Sequence, residues 1–388
     1  MILLCLPVCV RISYMKRTVS IKLDPTSEQS VKLDALQAEF ANACNVVVPF
    51  AVPVKCSNRV ALHHLCYYAV REQFPALGSQ MVCNAIANVS QSYKSLVANK
   101  PKFKKEDWPI IGFKQTSSVH FDKRTYSFKE DSVSLFTLEG RIVVNYILGK
   151  HQANLFNSGI TKEAELIKRK GQWYFNLVID ILDVAPSTGN DSIGVDVGEN
   201  NIAAISTGKV FGGGKLRHER DKFLAHRKRL QRNGSQSARQ LLNRISGKEA
   251  AHVKHVNHEI AKAIVQEAIG TNASEIRLED LTNIRDSIKA GKRVRSRLHR
   301  WSFRQLQDFV AYKAQAVGIE IKYINPAYTS KSCSVCGNIG TRVKHKFSCK
   351  NCGHLAHSDV NAASNIAKFD RLFSLSRGEV SRPNVELV

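Results

Sequence analysis

Asp191-Ser192-Ile193-Gly194-Val195-Asp196-Val197-Gly198-Glu199-Asn200 is an apolar, strand-like run that carries one carboxylate between two glycines. With Ile193, Val195 and Val197 facing a core, a period of two places Gly194, Asp196 and Gly198 together on the other face. The two glycines leave room beside Asp196 for a metal ion or a phosphate, although an aspartate read alone can equally cap a turn. Residues 201–206 read as a second strand after a tight reversal, and residues 209–211 as a third that ends at Gly212-Gly213-Gly214. That glycine run lacks the Lys-Ser/Thr of a phosphate-binding loop and reads as a turn.

Downstream, residues 215–244 form a strongly charged segment that includes Arg227, Lys228, Arg229 and Arg232. It leads into a helix on which Val253, Val256, Ile260, Ile264 and Ala268 recur every three or four residues. His258-Glu259 sits off that stripe and is no zinc-protease motif, because Lys262 stands where the second histidine belongs; a solvated face is expected. Glu275-Ile276-Arg277-Leu278-Glu279 alternates as a strand and ends in acid. A second basic block, residues 285–304, holds Lys292, Arg293, Arg295, Arg297 and Arg300; beside a carboxylate cleft it screens phosphate charge, and elsewhere it is a solvated loop. Helical spacing resumes through Phe303, Leu306, Phe309 and Val310, and residues 319–324 give another strand.

Cys333-x2-Cys336 and Cys349-x2-Cys352 are two knuckles separated by twelve residues, each followed by a glycine, Gly337 and Gly353. Four thiolates at this spacing suit one tetrahedral zinc ion, and a filled coordination shell makes that site structural. Lys344, His345 and Lys346 on the loop between the knuckles are read as contacts to nucleic acid or as solvated residues. Just beyond, Ser358 or Asp359 can cap a helix that turns Val360, Ala363 and Ala367 inward. Asp196, Glu279 and Asp359 thus lie at the ends or starts of elements, separated by 83 and 80 residues, and only a fold can bring them together. The order of strands and helices matches a ribonuclease H-like fold. There the three carboxylates would need divalent cations between them, magnesium for an all-oxygen site. Glu199, Asp280 and Asp286 are nearby alternatives.

The first half changes period. Val19, Ile21 and Leu23 alternate in a strand, Thr26 and Gln29 read as a capping box, and Leu33, Leu36 and Phe40 begin a helix. Two further helices are expected, over residues 59–74 through Leu62, Leu65, Cys66, Ala69 and Val70, and over residues 79–97 through Val82, Ile86, Val89 and Tyr93. After the basic linker of residues 100–105, short strands with period two run to residue 179. They form a basic β-barrel or wedge into which the helices are inserted.

The chain has 388 residues and a net charge of +24, from 57 Lys and Arg against 33 Asp and Glu, a field that attracts polyanions. No run approaches the roughly 18–20 apolar residues of a membrane span. Residues 1–10 are apolar but short and lack a basic leader, which argues against a secretory peptide; Met15 is an alternative start, leaving residues 1–14 as an extension. Cys5, Cys9, Cys44, Cys56, Cys66 and Cys83 sit among apolar residues and read as thiols in a reducing compartment.

Gly194-Val195-Asp196-Val197-Gly198, Leu278-Glu279-Asp280-Leu281, Tyr328-Thr329-Ser330-Lys331-Ser332-Cys333-Ser334-Val335-Cys336-Gly337 and Asp359-Val360-Asn361-Ala362-Ala363-Ser364-Asn365-Ile366 closely resemble the OrfB/TnpB family of transposon-associated RNA-guided nucleases. The resemblance is strong over residues 191–368 and looser before them. It implies a multidomain α+β chain: a ribonuclease H-like RuvC nuclease (residues 191–327 and 354–372) with an inserted zinc ribbon (328–353). A β-barrel wedge (15–34 and 110–184) with an inserted helical recognition domain (35–109) and a linker (185–190) would precede it, and a flexible tail (373–388) would follow. It also implies catalytic acids at Asp196, Glu279 and Asp359 holding two magnesium ions, one structural zinc, a guide RNA and a double-stranded DNA target. The expected location is the prokaryotic cytoplasm, at the nucleoid. Monomer and homodimer both stay open. So do a compact type V CRISPR effector, which shares the nuclease half, a guided binding protein that does not cut, and a DNA-joining transposase.

Overall fold

A computed structural model describes residues 14–99, 108–281, 302–325 and 329–369. The expected N-terminal extension apart from Tyr14, Cys5 and Cys9, the basic linker, Asp286, the cluster Lys292, Arg293, Arg295, Arg297 and Arg300, and the tail lie outside the described residues. The chain divides after Leu182 into two compact units.

In the first unit β1 (Tyr14–Asp24) is followed by three helices, α1 (Ser27–Ala51), α2 (Arg59–Gln73) and α3 (Gly78–Asn99). Then come β2 (Val119–Phe121), β3 (Tyr126–Phe128), β4 (Ser132–Thr137), β5 (Gly140–Ile147), α4 (Lys150–Asn157), β6 (Ile160–Arg169) and β7 (Gln172–Leu182). The strands form one antiparallel sheet in the order β2-β6-β7-β1-β5-β4-β3. Its two edges, β2 and β3, are consecutive in the chain. They are joined by the turn at residues 122–125, where the Thr125 N–H donates to the Asp122 carbonyl at 3.0 Å. The sheet therefore curls into a nearly closed barrel, which hides its edges from other strands.

Val19, Ile21 and Leu23 of β1 and Phe175, Leu177 and Ile179 of β7 point into the barrel and are buried. Leu36 and Phe40 of α1 and Val82, Ile86 and Val89 of α3 belong to the same core. Helices and strands thus share one interior, and the expected boundary between residues 34 and 35 falls inside the unbroken helix α1. The capping box forms as read: the Gln29 N–H donates to Thr26 Oγ1 at 3.2 Å, and the Thr26 N–H donates to Gln29 Oε1 at 3.1 Å. On α2 only Leu62, Cys66 and Val70 are buried, so Leu65 and Ala69 face outward, against expectation. Cys44 and Cys66 are buried free thiols, Cys56 and Cys83 half-buried ones.

The second unit is built on β8 (Asp191–Asp196), β9 (Asn201–Ile205) and β10 (Val210–Gly212), an antiparallel meander. α5 (Gly214–Asn233), α6 (Gln236–Ile245) and α7 (Lys248–Gly270) lead to β11 (Ala273–Glu279), and α8 (Phe303–Gln315) leads to β12 (Glu320–Ile324). The sheet order is β10-β9-β8-β11-β12, with β8, β11 and β12 parallel. This is the ribonuclease H-like arrangement that the element order predicts. A three-stranded ribbon, β13 (Thr341–Val343), β14 (Lys346–Ser348) and β15 (Leu355–His357), runs directly into α9 (Ser358–Ala367). Among the described residues no helix is long and apolar enough to cross a membrane.

The period of two along β8 sorts its residues between two layers. Ile193 and Val195 pack in one core with Ile260 and Ile264 of α7 and Leu306 and Val310 of α8. Gly194 faces the opposite side and lies against α9, where a Cβ would fall 2.0 Å from the Ala363 carbonyl oxygen and 2.4 Å from the Ala367 nitrogen. The glycine thus makes room for a helix backbone, which corrects the expectation of space for a metal or phosphate there. At its C-terminal end α9 is anchored by Ser192 Oγ and Arg277 Nη1, which donate to the Ala367 carbonyl at 2.8 and 3.1 Å. His258 is also corrected: its ring stacks on Phe309 at 3.8 Å between α7 and α8 instead of facing solvent.

Gly194→Ala is expected to destabilise the second unit by about 3 kcal/mol, since neither backbone atom facing the new methyl can yield cheaply. Urea denaturation followed by fluorescence checks this. A midpoint equal to the parent's would contradict the close packing of α9 on β8.

Candidate active site

Asp196 is the last residue of β8 and Glu279 the last of β11. The two strands run parallel with Leu278 opposite Val195, so one step further Glu279 and Asp196 are neighbours at the carboxyl ends of the central strands. That end of a parallel sheet, where the strands release the chain into loops, is the usual place for a ligand. Asp359 arrives from the other direction, in the first turn of α9, whose C-terminal end is tied to the start of β8. All three expected acids therefore lie at this end of the sheet, close enough that the charges of Glu279 and Asp359 are felt at Asp196.

Two of the acids are held by side-chain hydrogen bonds. Thr329 Oγ1 donates to Glu279 Oε1 at 2.6 Å. Asn201 Nδ2 donates to Asp359 Oδ2 at 2.7 Å, and Arg342 Nη2 donates to Asp359 Oδ1 at 2.8 Å. Burial, then the charges of Glu279 and Asp359, pushes the Asp196 carboxyl up to about 7, while Arg342 pulls the other way. Burial also raises Glu279, against the Thr329 hydroxyl. A divalent cation would relieve both effects, so the donor set fits one.

Asn201 and Thr329 lie within or beside stretches singled out from sequence, yet without an assigned role; Arg342 lies outside any motif. It reaches Asp359 because the hairpin register sets it opposite Phe347, and no local spacing shows that. The N-cap of α9 is His357, whose Nδ1 accepts the Asp359 N–H at 3.3 Å, rather than Ser358 or Asp359. A cleft of about 500 Å³ opens over Asp196 and Asp359, lined also by Glu199, Asn201, Arg342 and His345. Glu199 thus borders the site without joining the triad, while Asp280 is exposed beyond the strand end.

The four cysteines of the ribbon bring their sulfurs within 4.8 Å of one another. Cys333 Sγ lies 3.6 Å from Cys352 Sγ, and Cys336 Sγ lies 3.6 Å from Cys349 Sγ. A tetrahedral zinc ion with Zn–S bonds near 2.3 Å has S···S edges of about 3.8 Å, so the cluster has the right size for it. Both knuckles turn through a left-handed glycine, Gly337 at φ 76° and Gly353 at φ 73°. The ribbon is sewn to α9: Asn361 Nδ2 donates to the Ser332 carbonyl at 2.8 Å, and Asn365 Nδ2 donates to the Thr329 and Ser332 carbonyls at 2.7 Å each. Thr329 therefore links the ribbon, α9 and Glu279. Arg227, Lys228, Arg229 and Arg232 lie on α5, which buries none of its residues, and all four are exposed.

An unfolded aspartate titrates near 4, whereas Asp196 in the fold titrates at about 7. Below about pH 4 both states are protonated and nothing is lost; between pH 4 and 7 only the unfolded chain ionises, so the fold loses stability until the change levels off above pH 7. In magnesium-free buffer Asp196→Asn is expected to gain on the parent across this window, by on the order of 4 kcal/mol. Urea midpoints at pH 4 and pH 8 check it; a difference independent of pH would contradict the burial of Asp196 beside the other two acids.

The sequence pattern described as "Probable transposase" matches residues 177–285, and that described as "Cas12f1-like, TNB domain" matches residues 303–366. The chain is 33% identical over 239 residues to the CRISPR-associated endodeoxyribonuclease Cas12f1 of Sulfoacidibacillus thermotolerans, covering 51% of this chain and 50% of that protein. It spans about half the length of the Cas12f1 relatives it matches. The protein of a solved Cas12f1–sgRNA–target DNA complex shares the fold, with a TM-score of 0.60 at 18% identity, covering 88% of this chain and 83% of that one. The TnpB-like protein MJ0751 of Methanocaldococcus jannaschii is 30% identical over a 264-residue match that covers 63% of this chain and 92% of that protein. With a relative matched across nearly its whole length and both family patterns falling mainly on the second unit, the chain belongs to the OrfB/TnpB family.

Proposed function

We propose that this chain is an RNA-guided DNA endonuclease of an insertion sequence, hydrolysing phosphodiester bonds at Asp196, Glu279 and Asp359. The observation that carries the reading is the meeting of these three acids, from β8, β11 and α9, at one end of a ribonuclease H-like sheet. The net charge of +24 and the exposed Arg227, Lys228, Arg229 and Arg232 suit a polyanionic partner, here guide RNA and double-stranded target DNA. In this reading base pairing with the guide selects the sequence, and the protein reads duplex shape. β1 and segment 110–184 serve as the wedge, and the helical segment from α1 to residue 109 as the recognition part.

The three carboxylates are the ligands we assign to magnesium, which when bound activates water and stabilises the leaving oxygen. The residues of the chain do the rest. Thr329 fixes the rotamer of Glu279, and Asn201 that of Asp359. Arg342 borders the cleft with a side chain still 41% exposed, placed to pass from Asp359 to a phosphate oxygen. Zinc is assigned to Cys333, Cys336, Cys349 and Cys352, where it stiffens the ribbon that carries Arg342. Several relatives are named as CRISPR effectors, but the chain covers 92% of its TnpB-like relative against 50% of a Cas12f1, which favours the insertion-sequence context.

The test is to sequence RNA that copurifies with the chain and then assay DNA matched to its variable end with magnesium. One abundant RNA and guided cleavage are expected, with Glu279→Gln lowering the cleavage rate by at least about a thousandfold, on the scale of losing a main electrostatic element, while RNA and target binding persist. Cleavage by the variant at the parental rate would refute the site. Guided binding without cleavage by the parent would make the chain a binding protein.

A further inference from the structure

Beside the acid triad lies a second ligand set that shares Asp359 with it and adds two histidines that the proposed chemistry does not use. His345, His357 and Asp359 bring one ligating atom each within 4.8 Å of one another. The two imidazole rings lie nearly parallel, 20° apart with centroids 5.4 Å from each other. Their placement is built into the backbone: His345 follows Lys344 in the tight turn between β13 and β14, and Lys344 adopts a left-handed φ of 53°. His357 ends β15, paired with Lys346 of β14. Ser358 then clamps the turn, its N–H donating to the His345 carbonyl at 2.9 Å and its Oγ to the Lys344 carbonyl at 3.1 Å. The turn that carries His345 is thereby fixed over the head of α9, where Asp359 sits.

We propose that His345, His357 and Asp359 form a transition-metal site, for zinc or a similar ion, that shares Asp359 with the magnesium cluster and so opposes cleavage. Two imidazoles and one carboxylate select zinc, cobalt or nickel over magnesium, which prefers oxygen alone. Three protein ligands leave a fourth position open to water or a phosphate oxygen. Three local contacts would have to yield, among them the Asn201 bond to Asp359 Oδ2 at 2.7 Å. The His357 bond to the Asp359 N–H is long at 3.3 Å, and Arg342, which holds Asp359 Oδ1, sits on a long side chain that is 41% exposed. A zinc ion there would withdraw Asp359 from Asp196 and Glu279. The ribbon and the nuclease centre would then respond to one metal supply in opposite senses, the first needing it and the second being blocked by it.

The binding test needs no cleavage. The full chain, with its ribbon loaded with zinc, is titrated with cobalt(II) and followed by visible absorption. One added equivalent is expected, with weak d–d bands and no sulfur-to-metal charge transfer. His345→Ala should weaken it by more than the roughly tenfold that loss of an outer-shell partner costs. Equal uptake by parent and variant, or charge-transfer bands alone from exchange into the cysteine site, would overturn the proposal. The inhibition arm rests on the proposed nuclease reading. Micromolar zinc should slow magnesium-dependent cleavage by the parent, excess magnesium should restore it, and the ratio of rates with and without zinc should approach one in His345→Ala. Cobalt binding without zinc inhibition would overturn the sharing of Asp359. If no sample cleaves DNA, the nuclease reading fails and the cobalt titration alone decides the metal site.

Discussion

Where α9 crosses β8 no side chain separates the two backbones, and this contact at Gly194 governs the geometry of the second unit. The helix lies so close to the strand that its first turn delivers Asp359 to the strand end where Asp196 stands. Ser192 and Arg277 hold the far end of the helix at the Ala367 carbonyl, so it can neither slide nor tilt without losing both. The opposite face of the sheet is an ordinary apolar layer, with Ile193 and Val195 against α7 and α8. One face therefore supplies stability through burial, and the other is kept thin so that charge can be concentrated.

That concentration has a cost and a use. Three carboxylates converge at the strand ends, two of them lining the cleft, and burial with the neighbouring charges pushes the Asp196 carboxyl up to about 7. Such an arrangement destabilises the metal-free chain and makes it ready for divalent cations. The ribbon belongs to the same arrangement, because Asn361 and Asn365 of α9 hold its first knuckle and Thr329 reaches from there to Glu279. Arg342, on the ribbon hairpin, neutralises part of the charge at Asp359. Order in the ribbon is thus transmitted to two of the three acids by named hydrogen bonds.

Much of this was legible in the residues. The strand run ending at Asp196, the acid ending Glu275-Ile276-Arg277-Leu278-Glu279 and the paired knuckles all carry local patterns, and the order of elements was enough to choose the sheet. What escaped was set by packing rather than pattern. Gly194 read as space for a ligand, because a sequence shows that a side chain is missing but not what fills the gap. His258 read as solvated because its partner Phe309 lies on another helix. Arg342 borders the cleft through hairpin register, which leaves no periodic trace, whereas His345 was singled out without its place beside the acids. In the first half the strands and the first three helices were visible, while α4 and the single shared core were not, since inward residues of a barrel and of a helix look alike in one dimension.

The central claim is that Asp196, Glu279 and Asp359 form one centre for divalent cations. Manganese(II), which takes oxygen ligands much as magnesium does, tests it directly by electron paramagnetic resonance on the chain with its ribbon loaded with zinc. Two bound ions with an exchange-coupled spectrum, reduced to one uncoupled ion or none when Glu279 is replaced by glutamine, is the result this account predicts. Manganese signals that stay uncoupled in the parent, or that are unchanged by the replacement, would contradict it.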